Sequence, residues 1–234
     1  MSYKYQFRYA ILLLAASLAI TPAAFASQIA GKVVLSGAPA ADVVISIEGL
    51  TALGAPDANA YVLDHRDLNF APHLLVVRAG TTVTFKNSDG MPCHIYSISP
   101  AGTFMLRRQD GKPMSITFDR PGVIEVRCAE HNRIYAFVIV KENSYFALTD
   151  SKGRYKIPDV PSGRYTLQAW YEGNVIQSKT IEIGGKKLKV DFKAARPQPR
   201  ALADPPLKAP SIVSAADALP GVSFELVTTW RKEQ

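Results

Sequence analysis

The stretch LNFAPHLLVVRAGTTVTFKNSDGMPCHIYS (Leu68–Ser97) decides the fold of the middle third of the chain. Apolar and polar residues alternate in short runs within it, and Gly, Pro, Asp and Asn interrupt those runs. Alternation with a period of two predicts half-buried β-strands, and the interruptions predict the turns between them. A second stretch, GVIEVRCAEHNRIYAFVIV (Gly122–Val140), has the same texture. The two stretches therefore predict neighbouring strands of one all-β domain.

Short strands separated by turn residues continue on both sides of these stretches, and no convincing amphipathic helix is visible. Such spacing is typical of a sandwich or barrel. The predicted strands of this region are Tyr61–Leu63, Leu74–Val77, Thr82–Lys86, His94–Ile98, Ser115–Phe118, Gly122–Cys128 and Ile134–Lys141. Two further strands, Lys32–Leu35 and Val43–Ile47, are predicted before the region.

Residues 1–26 have the pattern of a secretory signal peptide. Lys4 and Arg8 precede the apolar run Tyr9–Ile20, and Ala24-Phe25-Ala26 forms a small-x-small cleavage site. A retained N-terminal anchor is the alternative. With cleavage we expect a periplasmic or secreted protein without a transmembrane segment.

Composition narrows the function classes. Loss of Lys4 and Arg8 with the signal peptide lowers the formal charge from +7 by two, which leaves a mild positive excess. Nucleic acid is not an expected partner of an exported protein. No Ser-His-Asp arrangement, carboxylate pair or phosphate-binding loop stands out, so we expect no enzyme. The expected partner is a periplasmic redox or binding protein.

Two cysteines, Cys93 and Cys128, in an oxidising compartment normally predict one disulfide.

Four motifs in the correct order resemble the cupredoxins, the plastocyanin-like blue copper proteins. They are F-x-P at Phe70 and Pro72, G-x-x-V-x-F-x-N from Gly80 to Asn87, a loop led by Asp89, and C-x-x-H at Cys128 and His131. The chain is also similar to the periplasmic plastocyanin-like proteins labelled methylamine utilization proteins. The resemblance implies a cupredoxin-like Greek-key barrel over residues 58–141.

A blue copper site combines two imidazoles and one thiolate with a weak axial ligand. The resemblance places Cys128 and His131 in two of these roles. It places Ile134 where the axial Met is expected, and an aliphatic side chain cannot coordinate, which leaves a more trigonal site.

The position of the first histidine departs from the family pattern. The chain has Asp89-Gly90-Met91-Pro92-Cys93-His94, which places Cys93 at the ligand position and His94 at the position of a bracing Asn. Three outcomes remain open. Copper is bound by His94, Cys128 and His131; or two thiolates and one imidazole hold Cu(I) or Zn(II); or Cys93 and Cys128 form a disulfide in a metal-free barrel.

The candidate metal ligands are thus Cys93, His94, Cys128 and His131. The residues expected to surround them are Asn87, Asp89, Met91 and Ile134. The other two histidines, His65 and His73, are expected to be solvent-facing or hydrogen-bonded loop residues, because histidine is only intermediate in burial.

A second module resembles the carboxypeptidase-regulatory-like β-sandwich, with T-D-x-x-G-x-Y-x-I beginning at Thr149. It is predicted over residues 142–194, and residues 27–57 are predicted to supply its first strands. Gln28–Leu50 would then pair with Tyr145–Phe192 around an inserted barrel. The alternative is that Gln28–Leu50 only adds strands to the barrel. Residues 195–234 are predicted to be a proline-rich linker and tail.

The sequence therefore predicts a periplasmic copper-binding protein of electron transfer or copper handling with an atypical ligand set. The alternative is a metal-free interaction protein that contains a Cys93–Cys128 disulfide.

Overall fold

The computed structural model describes residues 27–50, 59–106, 113–131 and 133–198. The regular secondary structure in these ranges consists of β-strands only. The all-β class is therefore confirmed. The predicted signal peptide and most of the predicted tail lie outside the described residues. None of the described residues belongs to a helix that is long and apolar enough to cross a membrane.

Three groups of strands follow one another along the chain. The first comprises β1 (Ser27–Leu35), β2 (Ala38–Pro39) and β3 (Val44–Glu48). The second comprises β4 (Tyr61–Arg66), β5 (Asn69–Ala71), β6 (Leu74–Arg78), β7 (Thr81–Asn87), β8 (Ile95–Ser99), β9 (Gly102–Leu106), β10 (Met114–Phe118), β11 (Gly122–Cys128) and β12 (Tyr135–Lys141). The third comprises β13 (Phe146–Leu148), β14 (Arg154–Val160), β15 (Gly163–Tyr171), β16 (Asn174–Ile183), β17 (Leu188–Lys189) and β18 (Phe192–Ala194).

The middle group forms two sheets, with strand orders β10-β7-β4-β5 and β6-β12-β11-β8-β9. β4 pairs with β7, and β6 with β12, in parallel, whereas the other neighbours are antiparallel. This order is the cupredoxin-like Greek-key barrel that the sequence predicts. Between the sheets, the rings of Phe85, Phe104 and Phe118 pack with centroids 5.5–6.4 Å apart.

Strand β7 shows how the sequence orients the side chains. Thr81, Val83, Phe85 and Asn87 are all buried, whereas the residues between them are exposed or half-buried. Successive side chains of a strand point to opposite faces, so one alternating run gives an inward row of four. The last member of that row is the polar Asn87, at the end of the strand.

The strands before the barrel lie in the same sheets as the strands after it. β1 pairs antiparallel with β14, with Gly31 opposite Tyr155, and β3 lies between β13 and β15, with Ile47 opposite Leu167. Together they form the small β-sandwich. Its buried core is separate from that of the barrel and includes Ile29, Val33, Ile47, Ile157, Leu167 and Phe192.

A third apolar cluster joins the two modules. Phe137 and Ile139 of β12 pack there with Val44 and Trp170 of the sandwich, and the Phe137 and Trp170 rings meet edge to face at 5.1 Å. Rings in this geometry attract one another beyond their area of contact. The barrel is therefore held against the sandwich by packing as well as by its two chain connections.

A polar contact lies beside this cluster. His73 Nε2 lies 3.1 Å from a carboxylate oxygen of Glu172, and the Tyr135 hydroxyl donates to the same carboxylate at 3.3 Å. The hydrogen bond with Glu172 raises the pKa of His73, to which the charge of Asp42 adds, and the same bond lowers the pKa of Glu172.

We expect this pair to stabilise the fold most between the ordinary pKa values of Glu and His, 4.5 and 6.5. Because the pKa of His73 is raised in the folded protein, protonated His73 stabilises the fold fully below pH 6.5. This contribution disappears as the pH rises through the folded pKa. The lowered pKa of Glu172 stabilises above 4.5 and its contribution disappears as the pH falls through the folded value. Urea unfolding at pH 5.5 should show that His73→Gln is less stable than wild type, because the ion pair is lost. The expected difference is only about 0.5–1 kcal/mol, since the pair is partly exposed.

At pH 8.5 the difference between wild type and His73→Gln should be smaller. Glu172→Gln should be destabilised over the same pH range. The double variant should lose little more stability than either single variant. A difference that does not change with pH would contradict the ion pair.

Gly31→Ala should destabilise the sandwich by about 1–3 kcal/mol, because overpacking forces backbone shifts. A Cβ on Gly31 would collide with the carbonyl oxygen of Val190, to which the Tyr155 hydroxyl donates a hydrogen bond at 2.7 Å. Urea unfolding monitored by tryptophan fluorescence measures the change. Gly184→Ala is the matched control, since its Cβ would meet no described atom within 4 Å. Equal stability of the two variants would contradict the close approach.

Candidate metal centre

The two cysteines meet at one end of the barrel. Cys93 lies in the loop before β8 and Cys128 ends β11; their Cα atoms are 5.5 Å apart and their side chains form a disulfide. Cys93 is 2% exposed and Cys128 is fully buried. The structure thus brings together the two thiols that the sequence placed among the candidate ligands, and it shows them in the oxidised form.

His65 is the third member of this group. One of its ring nitrogens and the two sulfur atoms all lie within 4.8 Å of one another, and its side chain is fully buried. Its Nδ1 lies 3.3 Å from Oδ1 of Asn87 and 3.3 Å from a carboxylate oxygen of Asp89. Its Nε2 is buried and has no hydrogen-bond partner among the described residues.

His131 lies beside Cys128 on the loop after β11. Its Nδ1 is 3.5 Å from the Cys128 sulfur, and its ring stacks on that of His65 with centroids 6.1 Å apart. The loop is closed by backbone bonds from Ile134 N–H to the His131 carbonyl at 2.9 Å, and from Cys128 N–H to the Ile134 carbonyl at 3.3 Å. The C-x-x-H spacing therefore places the Cys128 sulfur and the His131 imidazole side by side.

His94 is directed elsewhere. Both its backbone N–H, at 2.7 Å, and its ring Nδ1 bind the carboxylate of Glu130, and its ring is partly exposed. Partial burial alone would raise the pKa of Glu130, but the hydrogen bonds from His94 lower it below its usual value. His94 lies outside the group formed by His65 and the cysteines. Its role as a ligand stays a prediction.

The residues expected to surround the ligands have different places. Asn87 accepts from the Asp89 N–H at 3.2 Å and donates from Nδ2 to the Met91 carbonyl at 2.7 Å. The N–H groups of Leu68 and Asp67 donate to the Asp89 carboxylate and lower its pKa.

The two apolar members of that set also differ. The Met91 side chain is 39% exposed, and Ile134 is buried in the barrel core. Ile134 therefore fills space near the loop that carries His131, and it offers no atom that can coordinate.

The donor set fits a soft metal ion. Thiolates and imidazoles bind Cu(I) and Zn(II), and the site is nearly dry because both cysteines and His65 are buried. A buried polar atom without a partner costs free energy. Nε2 of His65, which has no partner in the part of the chain that the structure describes, therefore favours a bound ion when the cysteines are reduced.

Sequence reasoning missed His65 because it ended the predicted strand at Leu63. β4 continues to Arg66, and Leu63 and His65 both face inward. The inward alternation from Leu63 to His65 is the pattern that could have placed the imidazole inside the barrel.

Comparison with known proteins gives partial matches. The family model described as Polysaccharide lyase family 4, domain II, matches residues 130–190, less than half of the chain. It includes the last barrel strand as well as most of the sandwich, so the carboxypeptidase-regulatory-like assignment stays a prediction. No curated protein matches the sequence.

Three solved structures illustrate what part of this chain is similar to. A mutant of amicyanin in its Cu(I) form is 23% identical, with a TM-score of 0.32 over 42% of this chain and 98% of that chain. A purple cupredoxin from Nitrosopumilus maritimus is 24% identical, with a TM-score of 0.31 over 35% of this chain and 99% of that chain. A Cu-containing nitrite reductase from Thermus scotoductus is 24% identical, with a TM-score of 0.34 over 39% of this chain and 25% of that chain. The barrel itself is assigned from its strand order.

Asn87→Ala should destabilise the protein by about 1–3 kcal/mol, because it removes the hydrogen bonds that this buried amide makes. The Met91 carbonyl, the Asp89 N–H and Nδ1 of His65 all contact this amide. Asn69→Ala, which removes an exposed and longer bond to the Asp67 carbonyl, should change stability by less than about 0.5 kcal/mol. Urea unfolding of both variants tests this, and a neutral Asn87→Ala would contradict the role of the amide.

Proposed function

We propose that the protein is an exported cupredoxin-like copper-binding protein that acts in electron transfer or copper handling. The observation that carries the proposal is the buried meeting of Cys93, Cys128 and their neighbouring imidazoles at one end of the barrel. Sulfur and imidazole donors select copper or zinc over hard cations. The signal-like segment at residues 1–26 supports export.

The chain's own residues define what the site can do. Reduced Cys93 and Cys128 would each offer a thiolate. His131, on the partly exposed loop after β11, would offer an imidazole. Copper, when bound, would supply a one-electron couple. The closed turn from Cys128 to Ile134 holds thiolate and imidazole in place, so little rearrangement would accompany a change of charge.

The thiolate pair favours the reduced ion. Two thiolates stabilise Cu(I) more than one thiolate and two imidazoles would, because soft donors suit the softer ion. Ile134 offers no axial thioether, and the more trigonal site that results would also favour Cu(I) by raising the reduction potential. Copper handling as Cu(I) is therefore the form of the proposal that the donor set supports best. No catalytic group is assigned, and we propose a binding protein rather than an enzyme.

The Cys93–Cys128 disulfide supports a second function. In the oxidised form neither sulfur is a thiolate, and the barrel with its sandwich would be a metal-free module that binds a partner. Two electrons and two protons from a dithiol reductant, which itself becomes a disulfide, would return both cysteines to thiols. The two functions thus differ in the redox state of one bond.

Copper titration of reduced protein separates the two functions. We expect one equivalent of Cu(I) to bind in competition with a Cu(I) chelator and to block both thiols from a thiol reagent. Protein that is isolated without reductant should show no free thiol and bind no Cu(I). Cys93→Ser and Cys128→Ser should each lower the affinity by at least about 100-fold.

Met91→Leu is the matched control, because it removes a thioether whose side chain is 39% exposed. Its affinity should equal that of wild type. If reduced wild-type protein bound no Cu(I), the copper proposal would fail and the interaction protein would remain.

A further inference from the structure

We propose that His65, through Nε2, is a metal ligand of the site and completes a set of two thiolates and two imidazoles with Cys93, Cys128 and His131. The inference rests on the proposed metal-binding function and names a ligand that the copper motifs do not contain. Its starting point is the convergence of a His65 ring nitrogen and both sulfur atoms within 4.8 Å.

Hydrogen bonding decides which nitrogen of His65 is available. Nδ1 faces two oxygen atoms, Oδ1 of Asn87 and Oδ2 of Asp89, each at 3.3 Å. The Asn87 amide is oriented by its other end, because Nδ2 donates to the Met91 carbonyl at 2.7 Å. Nδ1 therefore carries the proton, and Nε2 carries the lone pair. Metal-bound histidines typically have this arrangement, in which the second ring nitrogen donates to an oxygen.

Burial makes the free lone pair significant. The His65 side chain is fully buried, and Nε2 has no partner among the described residues. A purely structural residue at this position could be apolar, since Phe70 meets the ring edge-on at 5.6 Å and His131 stacks on its face. A metal ion between Nε2 and the two sulfur atoms would satisfy the lone pair.

The backbone holds His65 in position before any ion binds. β4 pairs with β7 on one side, with His65 opposite Asn87, and with β5 on the other, with His65 opposite Phe70. The N–H groups of Ser88 and Asp89 donate to the His65 carbonyl at 2.8 and 3.3 Å. A ligand on a strand that is paired on both sides is placed more exactly than one on a loop.

His65 and His94 have different roles. His65 is a ligand, whereas His94 is tied to Glu130 and stays outside the set. Two thiolates and two imidazoles form a closed four-donor set, which suits tetrahedral Zn(II) or Cu(I) and leaves no open coordination position.

Co(II) and Cu(I) are the probes, added separately to the reduced chain that begins at Ser27. His94→Gln should bind each ion with the affinity of wild type. In both proteins Co(II) should give the intense visible bands of a tetrahedral thiolate site. His65→Gln should lower both affinities by at least about 10–100-fold and weaken the Co(II) bands.

X-ray absorption of the wild-type Cu(I) form counts ligands without a variant, and it should find two sulfur and two nitrogen neighbours. Circular dichroism of His65→Gln shows whether the barrel is intact. Unchanged metal affinity in folded His65→Gln would overturn the ligand role of His65, and a single nitrogen neighbour in wild type would overturn the set of two thiolates and two imidazoles. Both results would leave the copper proposal standing. Absence of Co(II) and Cu(I) binding to reduced wild type would instead overturn the proposed function itself.

Discussion

The parallel pairing of β4 with β7 is the constraint on which the site depends. In this register Leu63 lies opposite Phe85 and His65 lies opposite Asn87. Because the side chains of paired residues face the same side of a sheet, the two strands present one apolar pair in the core and one polar pair at its end. A slip of β4 by one residue would turn Leu63 and His65 outward. The aromatic core around Phe85 therefore stabilises the register that holds His65 beside its hydrogen-bond partner.

The barrel is an insertion in a second structure. β3 lies between β13 and β15, so the sandwich closes only when the chain leaves after β3, forms the barrel and returns at β13. The cluster around Phe137 and Trp170 and the contact of His73 with Glu172 hold the two modules together. The end of the barrel that carries Cys93 and Cys128 is formed by the barrel's own strands and loops, so the sandwich supplies none of the residues grouped there.

The chemistry of this end of the barrel depends on one covalent change. As a disulfide, Cys93 and Cys128 link two segments 35 residues apart and restrict the unfolded chain, which stabilises the fold. As thiolates, the same atoms are soft donors beside two imidazoles. The two proposed functions thus use one arrangement of the backbone. They differ in whether this bond is oxidised, and an oxidising compartment favours the disulfide.

The sequence by itself determined the elements whose pattern is local. Alternation predicted seven of the nine described barrel strands, with β11 at its observed bounds, but it did not predict β5 or β9. The C-x-x-H motif placed Cys128 and His131 one turn apart, and the structure shows their side chains in contact. Only the tertiary structure decided that His65 enters the site and that His94 turns to Glu130. Local patterns depend on neighbours in the chain, and the chain shows them directly. The place of His65 depends on a register between segments 22 residues apart, which the packing of the whole barrel selects.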